Sequence, residues 1–217
     1  MSQLPSARES VAALPDRPTA FFNALLTEQF VLQSVRGNTV SESSSRAALY
    51  LTTLSGALVA YGFLADTRAA PTYLAVVLPV VFLLGASTWE RLVQTALEDI
   101  IAVGAIQRIR GYYAALLPGA EHYFPRPGER AAVNELLDIG TRSSWRGVVF
   151  TTSSAISTVN SIVGGAGVAL GLHSAGGLDL ATAIVIGVLA GLVLLVGHGS
   201  YQIHQFKKVK ALVAATS

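Results

Sequence analysis

Between Val148 and Leu172 the sequence reads VVFTTSSAISTVNSIVGGAGVALGL, an apolar run with polar residues recurring at helical spacing. Placed at about 100° per residue, Ser153, Ser154, Ser157, Thr158, Asn160, Ser161, Gly164 and Gly165 share one side of a helix. Ala155, Ile156, Val159, Ile162, Val163 and Ala166 share the other, which suits lipid. Inside a membrane, hydroxyls and an amide can do one of two things. They can hydrogen-bond to neighbouring helices, at roughly 0.6 kcal/mol per contact, or they can line a path for water and what it dissolves. Serine and threonine can also bond back to carbonyls of their own helix. Asn160 has no such local partner and needs another helix. Ser153, Ser157, Asn160, Ser161 and Gly164 are therefore the candidate pore-lining or interhelical polar face. Ionisable side chains, which mark proton-coupled pumps and transporters, are missing: no Asp, Glu, Lys or Arg lies within this run or the other long apolar runs.

Other chemistry is thin. Arg126 and Arg130 follow closely on the aromatic triplet His122 to Phe124, and guanidinium groups beside aromatic rings can take an anionic ligand. Glu121 and Glu129 stand ready to neutralise the same arginines. Arg142, Trp145 and Arg146 read as an anchor at headgroup depth. The histidines His122, His173, His198 and His204 show no ligand spacing, so no metal site is expected. GGAG at Gly164 to Gly167 lies within a hydrophobic run and follows no strand, which removes a phosphate-loop reading. No nucleophile motif or paired-carboxylate motif appears. The sequence points to no catalytic residue, no cofactor and no enzyme. With no cysteine there is no disulfide or thiolate site, and a formal charge of +2 gives no case for nucleic acid.

The elements that carry these residues follow from hydropathy. At 13% charged residues and a mean hydropathy of +0.52, the chain is far from a soluble domain, where about 25% charged is usual. Residues 1–18 hold three prolines and lack the apolar core of a secretory signal, and read as a flexible tail. Residues 19–217 read as one domain. A helix is expected from Thr19 to Val35, broken or bent at Gly37 and Asn38. SESSSR then offers N-caps for a first span over residues 47–65. A second span covers 69–89, with Pro79 as a kink, and runs on without a turn signal to Leu117, where Pro118 and Gly119 stop it. The third and fourth spans cover 148–172 and 180–199. Between the second and third, residues 90–147 form a helical segment outside the bilayer, including Glu129 to Thr141.

Lysines and arginines crowd the N-terminal segment, the middle segment and the C-terminal end, where Lys207, Lys208 and Lys210 lie, and the two short turns contribute only Arg68. Cytoplasmic loops retain such residues, so both termini and the middle segment are expected inside, in the inner or plasma membrane. Two hairpins of similar design are suggested by Ser44, Ser45, Thr52, Thr53 and Ser55, which recur as Ser143, Ser144, Thr151, Thr152 and Ser154. Ala183, Gly187 and Gly191, with Gly167 and Gly171, form helix-packing ridges of small residues. Small residues let backbones approach closely, either within one chain or between copies in a homo-oligomer.

The order SESSSRAALYLTTLSGALVA, a short turn, a second span and the long amphipathic run from Glu90 to Leu117 resembles the small multi-pass effectors of bacterial nucleotide-signalling defence systems, the SLATT type and its relatives. The resemblance covers Ser41 to Leu117 and implies an oligomer that permeabilises the membrane on a cytoplasmic signal. The fold class expected is all-α, a four-span membrane bundle with helices extended into the cytoplasm. Two functions stand beside each other: a channel-like effector, and a non-conducting scaffold that binds a partner.

Overall fold

The computed structural model describes residues 17–116, 118–119 and 152–215. These form four helices, α1 (Arg17–Leu64), α2 (Ala70–Leu116), α3 (Thr152–Ser174) and α4 (Leu180–Ala215), with no strand among the described residues. All four are long and apolar enough to cross a membrane. Their outward side chains fit that reading, since Phe63 is 83% exposed and Val193 72%. An exposed apolar surface of this extent marks contact with lipid or protein rather than water.

The turns are built from local chemistry. After α1, the Thr67 hydroxyl donates to the Leu64 carbonyl at 2.7 Å and accepts from the Ala69 amide at 3.3 Å, which closes one helix and opens the next. Helix α2 is described as far as Leu116, and Gly119 takes the left-handed region at φ 88°. Between α3 and α4, Gly177 takes φ 66°. Asp179 then accepts from the Thr182 amide at 3.0 Å as the N-cap of α4, and this hydrogen bonding holds its carboxyl below the usual range.

One expected boundary is overturned. Helix α1 passes unbroken through Gly37 and Asn38, and SESSSR lies inside it rather than capping a new helix. A helical glycine costs only about 1 kcal/mol relative to alanine, and packing on α2 outweighs that. Arg36 pairs with Asp99 at 2.7 Å just before the glycine, Thr39 is buried just after it, and the Ser43 hydroxyl meets that of Thr95 at 2.8 Å. With Tyr73 Oη donating to the Ala57 carbonyl at the other end, these contacts define one antiparallel hairpin of α1 and α2.

At 1.5 Å per residue that hairpin is about 70 Å long, against roughly 30 Å of hydrocarbon. A second, shorter hairpin is made by α3 and α4. Helix α2 is central: it packs along α1 on one side and on α3 and α4 on the other, while α1 touches α3 only slightly. Tyr50, Val81, Trp89, Leu92, Val93, Ile156 and Val163 form the main core. Farther along the stalk, Phe206 and Val209 of α4 pack on Ile100 of α2. The extended part of the bundle thus includes the end of α4, together with the outer lengths of α1 and α2. The expected helix at Glu129 to Thr141 lies outside the described residues.

Candidate functional site

Because α3 is gripped by α2 and by α4, its exposed side is narrower than expected: Ala155, Ile162 and Ala166 of the expected lipid side are exposed, and Val159 is half-buried. Ile156 and Val163, expected to meet lipid, are buried, and Thr158, expected to point inward, is exposed. Ser153, Ser157, Asn160 and Ser161 are all buried, and Gly164 is half-buried.

Asn160 is fully enclosed, at 0% exposure. Its Nδ2 donates to the Phe82 carbonyl at 3.1 Å, and its Oδ1 accepts from the Ala86 amide at 3.2 Å. Phe82 and Ala86 are four residues apart, so the amide engages both ends of one rung of α2. This orientation of the amide is assigned from its partners. The Tyr50 hydroxyl of α1 stands 3.4 Å from the amide. The approach is open because residue 85 is glycine: a Cβ there would collide with the Asn160 amide and come within 2.7 Å of the Tyr50 ring. Three helices therefore meet at one side chain.

Toward the Thr152 end of α3 the polar contacts pass to α4. Gln202 Nε2 donates to Ser153 Oγ at 3.1 Å, and Ser154 Oγ donates to Gln202 Oε1 at 3.5 Å. Ser157 Oγ turns back to the Ser154 carbonyl at 2.9 Å. Ser161 Oγ lies 3.3 Å from His198 Nδ1, and the His198 ring sits 4.3 Å from that of Trp89 on α2. These neutral donors and acceptors join α3 to α4 and α2. Among the described residues no cluster of three His, Asp or Glu that could hold a metal ion occurs.

The small residues of α3 and α4 lock the second hairpin. A Cβ on Gly165 would stand 2.6 Å from the Gly187 carbonyl, one on Gly187 would stand 2.6 Å from the Gly165 carbonyl, and one on Gly191 would stand 3.0 Å from the Ser161 carbonyl. Ala183 is wholly buried in the same seam. The Ala183, Gly187, Gly191 ridge is thus packed within its own chain. Gly167 and Gly171 have open space instead. Their place is taken by Ser161, Gly165 and Ala169, a stripe at the same spacing of four that was legible in the sequence. Gly164 lies under Phe82 and Leu194.

Tyr50, Gly85 and Gln202 were not singled out from sequence. A lone tyrosine and a lone glycine inside apolar runs, and a glutamine one turn before another, are weak signals until the partner is known. Arg126 and Arg130 lie outside the described residues.

Where the α1–α2 stalk leaves its most apolar stretch, charges replace hydroxyls. Glu42 accepts from Arg91 at 2.9 Å and from Arg46 at 2.8 Å, and Arg91 also reaches Glu98 at 3.5 Å. The hydrogen bond from Arg91, then that from Arg46, hold the Glu42 carboxyl down at about 2. In comparisons with known proteins the chain matches no family model, no curated relative and no solved structure.

Proposed function

We propose that this chain is a multi-pass protein of the inner or plasma membrane that acts as a non-conducting scaffold. Four spans hold it in the bilayer, both termini and residues 90–147 face the cytoplasm, and the long α1–α2 stalk presents a docking surface to a cytoplasmic partner. The observation that carries this reading is the closure of Asn160: its amide is engaged on α2 and enclosed on every side. Ser153, Ser157 and Ser161 are likewise shut in by their own chain, so the face that would have lined a water path already serves as the joint between helices. The role is not enzymatic.

A second reading, an assembly of copies that permeabilises the membrane, is favoured by a different face. Helix α1 packs along α2 and leaves Thr52, Ser55 and Gly56 of its span exposed. Hydroxyls and small residues in a span favour helix contacts over lipid, and an oligomer would turn them inward.

The chain has no cysteine, so single cysteines at Ser153, Ser157 and Ser161, and others at Thr52 and Ser55, can be compared for reaction with a small charged thiol reagent in vesicles, since the reaction needs a thiolate and therefore water. The scaffold reading expects both sets to stay unreactive and vesicles to stay tight to ions. Reaction at Thr52 and Ser55 together with ion leakage would replace it with the effector reading.

A further inference from the structure

We propose that His198 makes the junction between α2 and α4 proton-responsive: uptake of a proton by its ring loosens α4 from Trp89. This goes beyond the scaffold reading and does not depend on it. His198 lies at the end of the fourth apolar run, between two other helices. Its Nδ1 is 3.3 Å from Ser161 Oγ on α3, and its ring is 4.3 Å from the Trp89 ring on α2. Trp89 is buried, and its Nε1 has no hydrogen-bond partner among the described residues. A buried indole N–H usually finds an acceptor, so this junction holds α4 by ring packing with one donor unsatisfied.

The neutral imidazole suits that setting, because one ring nitrogen pairs with Ser161 and the ring packs on the indole. A second proton turns both nitrogens into donors. Ser161 Oγ can accept from one of them. Among the described residues the structure shows no acceptor for the other and no carboxylate bonded to the ring. On α2, Glu90 is exposed and Arg91 is held by Glu42 of α1. On α3 the partner is the neutral Ser161, and on α4 the titratable neighbour in the ring stack is Tyr201, 5.5 Å from Trp89. His198 is half-buried; the indole face attracts a cation, but one such contact is worth less than the hydration that the inward side of the charged ring, against Trp89 and Ser161, gives up. The charged ring is therefore drawn out toward water, and histidine is the side chain whose charge changes near neutral pH.

The test uses the full chain in lipid nanodiscs with Trp145→Phe, which leaves Trp89 as the only indole. On acidification from about pH 8 to about pH 5, Trp89 emission is expected to shift to the red and lose intensity as water enters. His198→Gln should abolish that transition and His204→Gln should leave it in place. A flat emission, a transition that survives His198→Gln, or quenching without a red shift overturns the proposal. Should His198→Gln fail to fold, isotope-labelled histidine in the Trp145→Phe protein reads the event directly by magnetic resonance. Protonation of His198 with Trp89 emission unchanged would then refute the loosening.

Discussion

The side chain of Asn160 on α3 fills the space that Gly85 on α2 leaves by having no Cβ, and from there engages the Phe82 carbonyl and the Ala86 amide of the same turn. A polar residue in an apolar core is tolerable when its donors and acceptors are met. Here backbone groups meet them, and the glycine is what lets the amide reach that backbone.

Gly85→Ala is expected to destabilise the bundle by about 1 to 3 kcal/mol, as overpacking of a close-fitting core does. Asn160→Ala should cost about 1 to 2 kcal/mol from lost interhelical hydrogen bonds. The two are coupled, so Gly85→Ala should cost clearly less in the Asn160→Ala background. Thermal or denaturant unfolding in detergent measures all three variants, and strict additivity would show that the two residues do not share a site.

Gly187→Leu should force α3 and α4 apart, because the new side chain would lie against the Gly165 carbonyl and the Ala169 side chain. Loss of folded monomer, on the order of 3 kcal/mol or more of stability, is the expected result. Gly171→Ala, which meets nothing within 4 Å, should be neutral or slightly stabilising through helix propensity. A Gly187→Leu protein that kept its fold while losing only self-association would move the ridge to an interface between copies.

Gln202→Leu should loosen the joint at Ser153, leaving the Ser153 and Ser154 hydroxyls without that partner. A loss of about 1 kcal/mol is expected. Restoration by Gln202→Asn would be partial at best, since the shorter side chain falls short of Ser153. Hydrogen exchange of the first turns of α3 should rise in Gln202→Leu, and unchanged protection there would contradict the joint.

The Glu42 carboxyl lies at about 2 in the folded chain, against an ordinary value of 4.5. A group with a depressed folded value binds protons more readily when unfolded, so its contribution is complete above about pH 4.5 and is lost as pH falls through about 2. Separation of the stalk helices, followed with spin labels on α1 and α2, should accordingly be insensitive to pH near neutrality and increase as pH falls from about 4.5 toward about 2. Glu42→Gln should flatten that acid dependence. High salt should mimic the change only weakly, because Arg91 and Arg46 hold the carboxylate at close range.

Reporter fusions address the orientation. Activity as a cytoplasmic fusion is expected after Ser217 and within Gly119 to Gly128, and as an external fusion at Gly176, from the distribution of Lys and Arg. An external signal from Gly119 to Gly128 would reverse the assignment of the stalk.

The apolar runs, the continuity of α2 to its stop before Pro118 and Gly119, and the amphipathic character of α3 were all present in the sequence, because length, hydropathy and helical period are properties of a segment by itself. The identity of the polar face as a set of residues was legible for the same reason. What the tertiary structure decided was where each face points. Periodicity divides a helix into sides but does not say how many neighbours it has, and α3 has two, which is why Ile156 and Val163 are buried beside Asn160. Gly37 looked like a break because local propensity disfavours it, and contacts with α2 on either side, at Arg36 and Ser43, override that preference. Gly85, Gln202 and Tyr50 gain their roles only from residues more than forty positions away along the chain. Pairing of that kind depends on shape and on the satisfaction of hydrogen bonds in three dimensions, and a single sequence does not contain it in readable form.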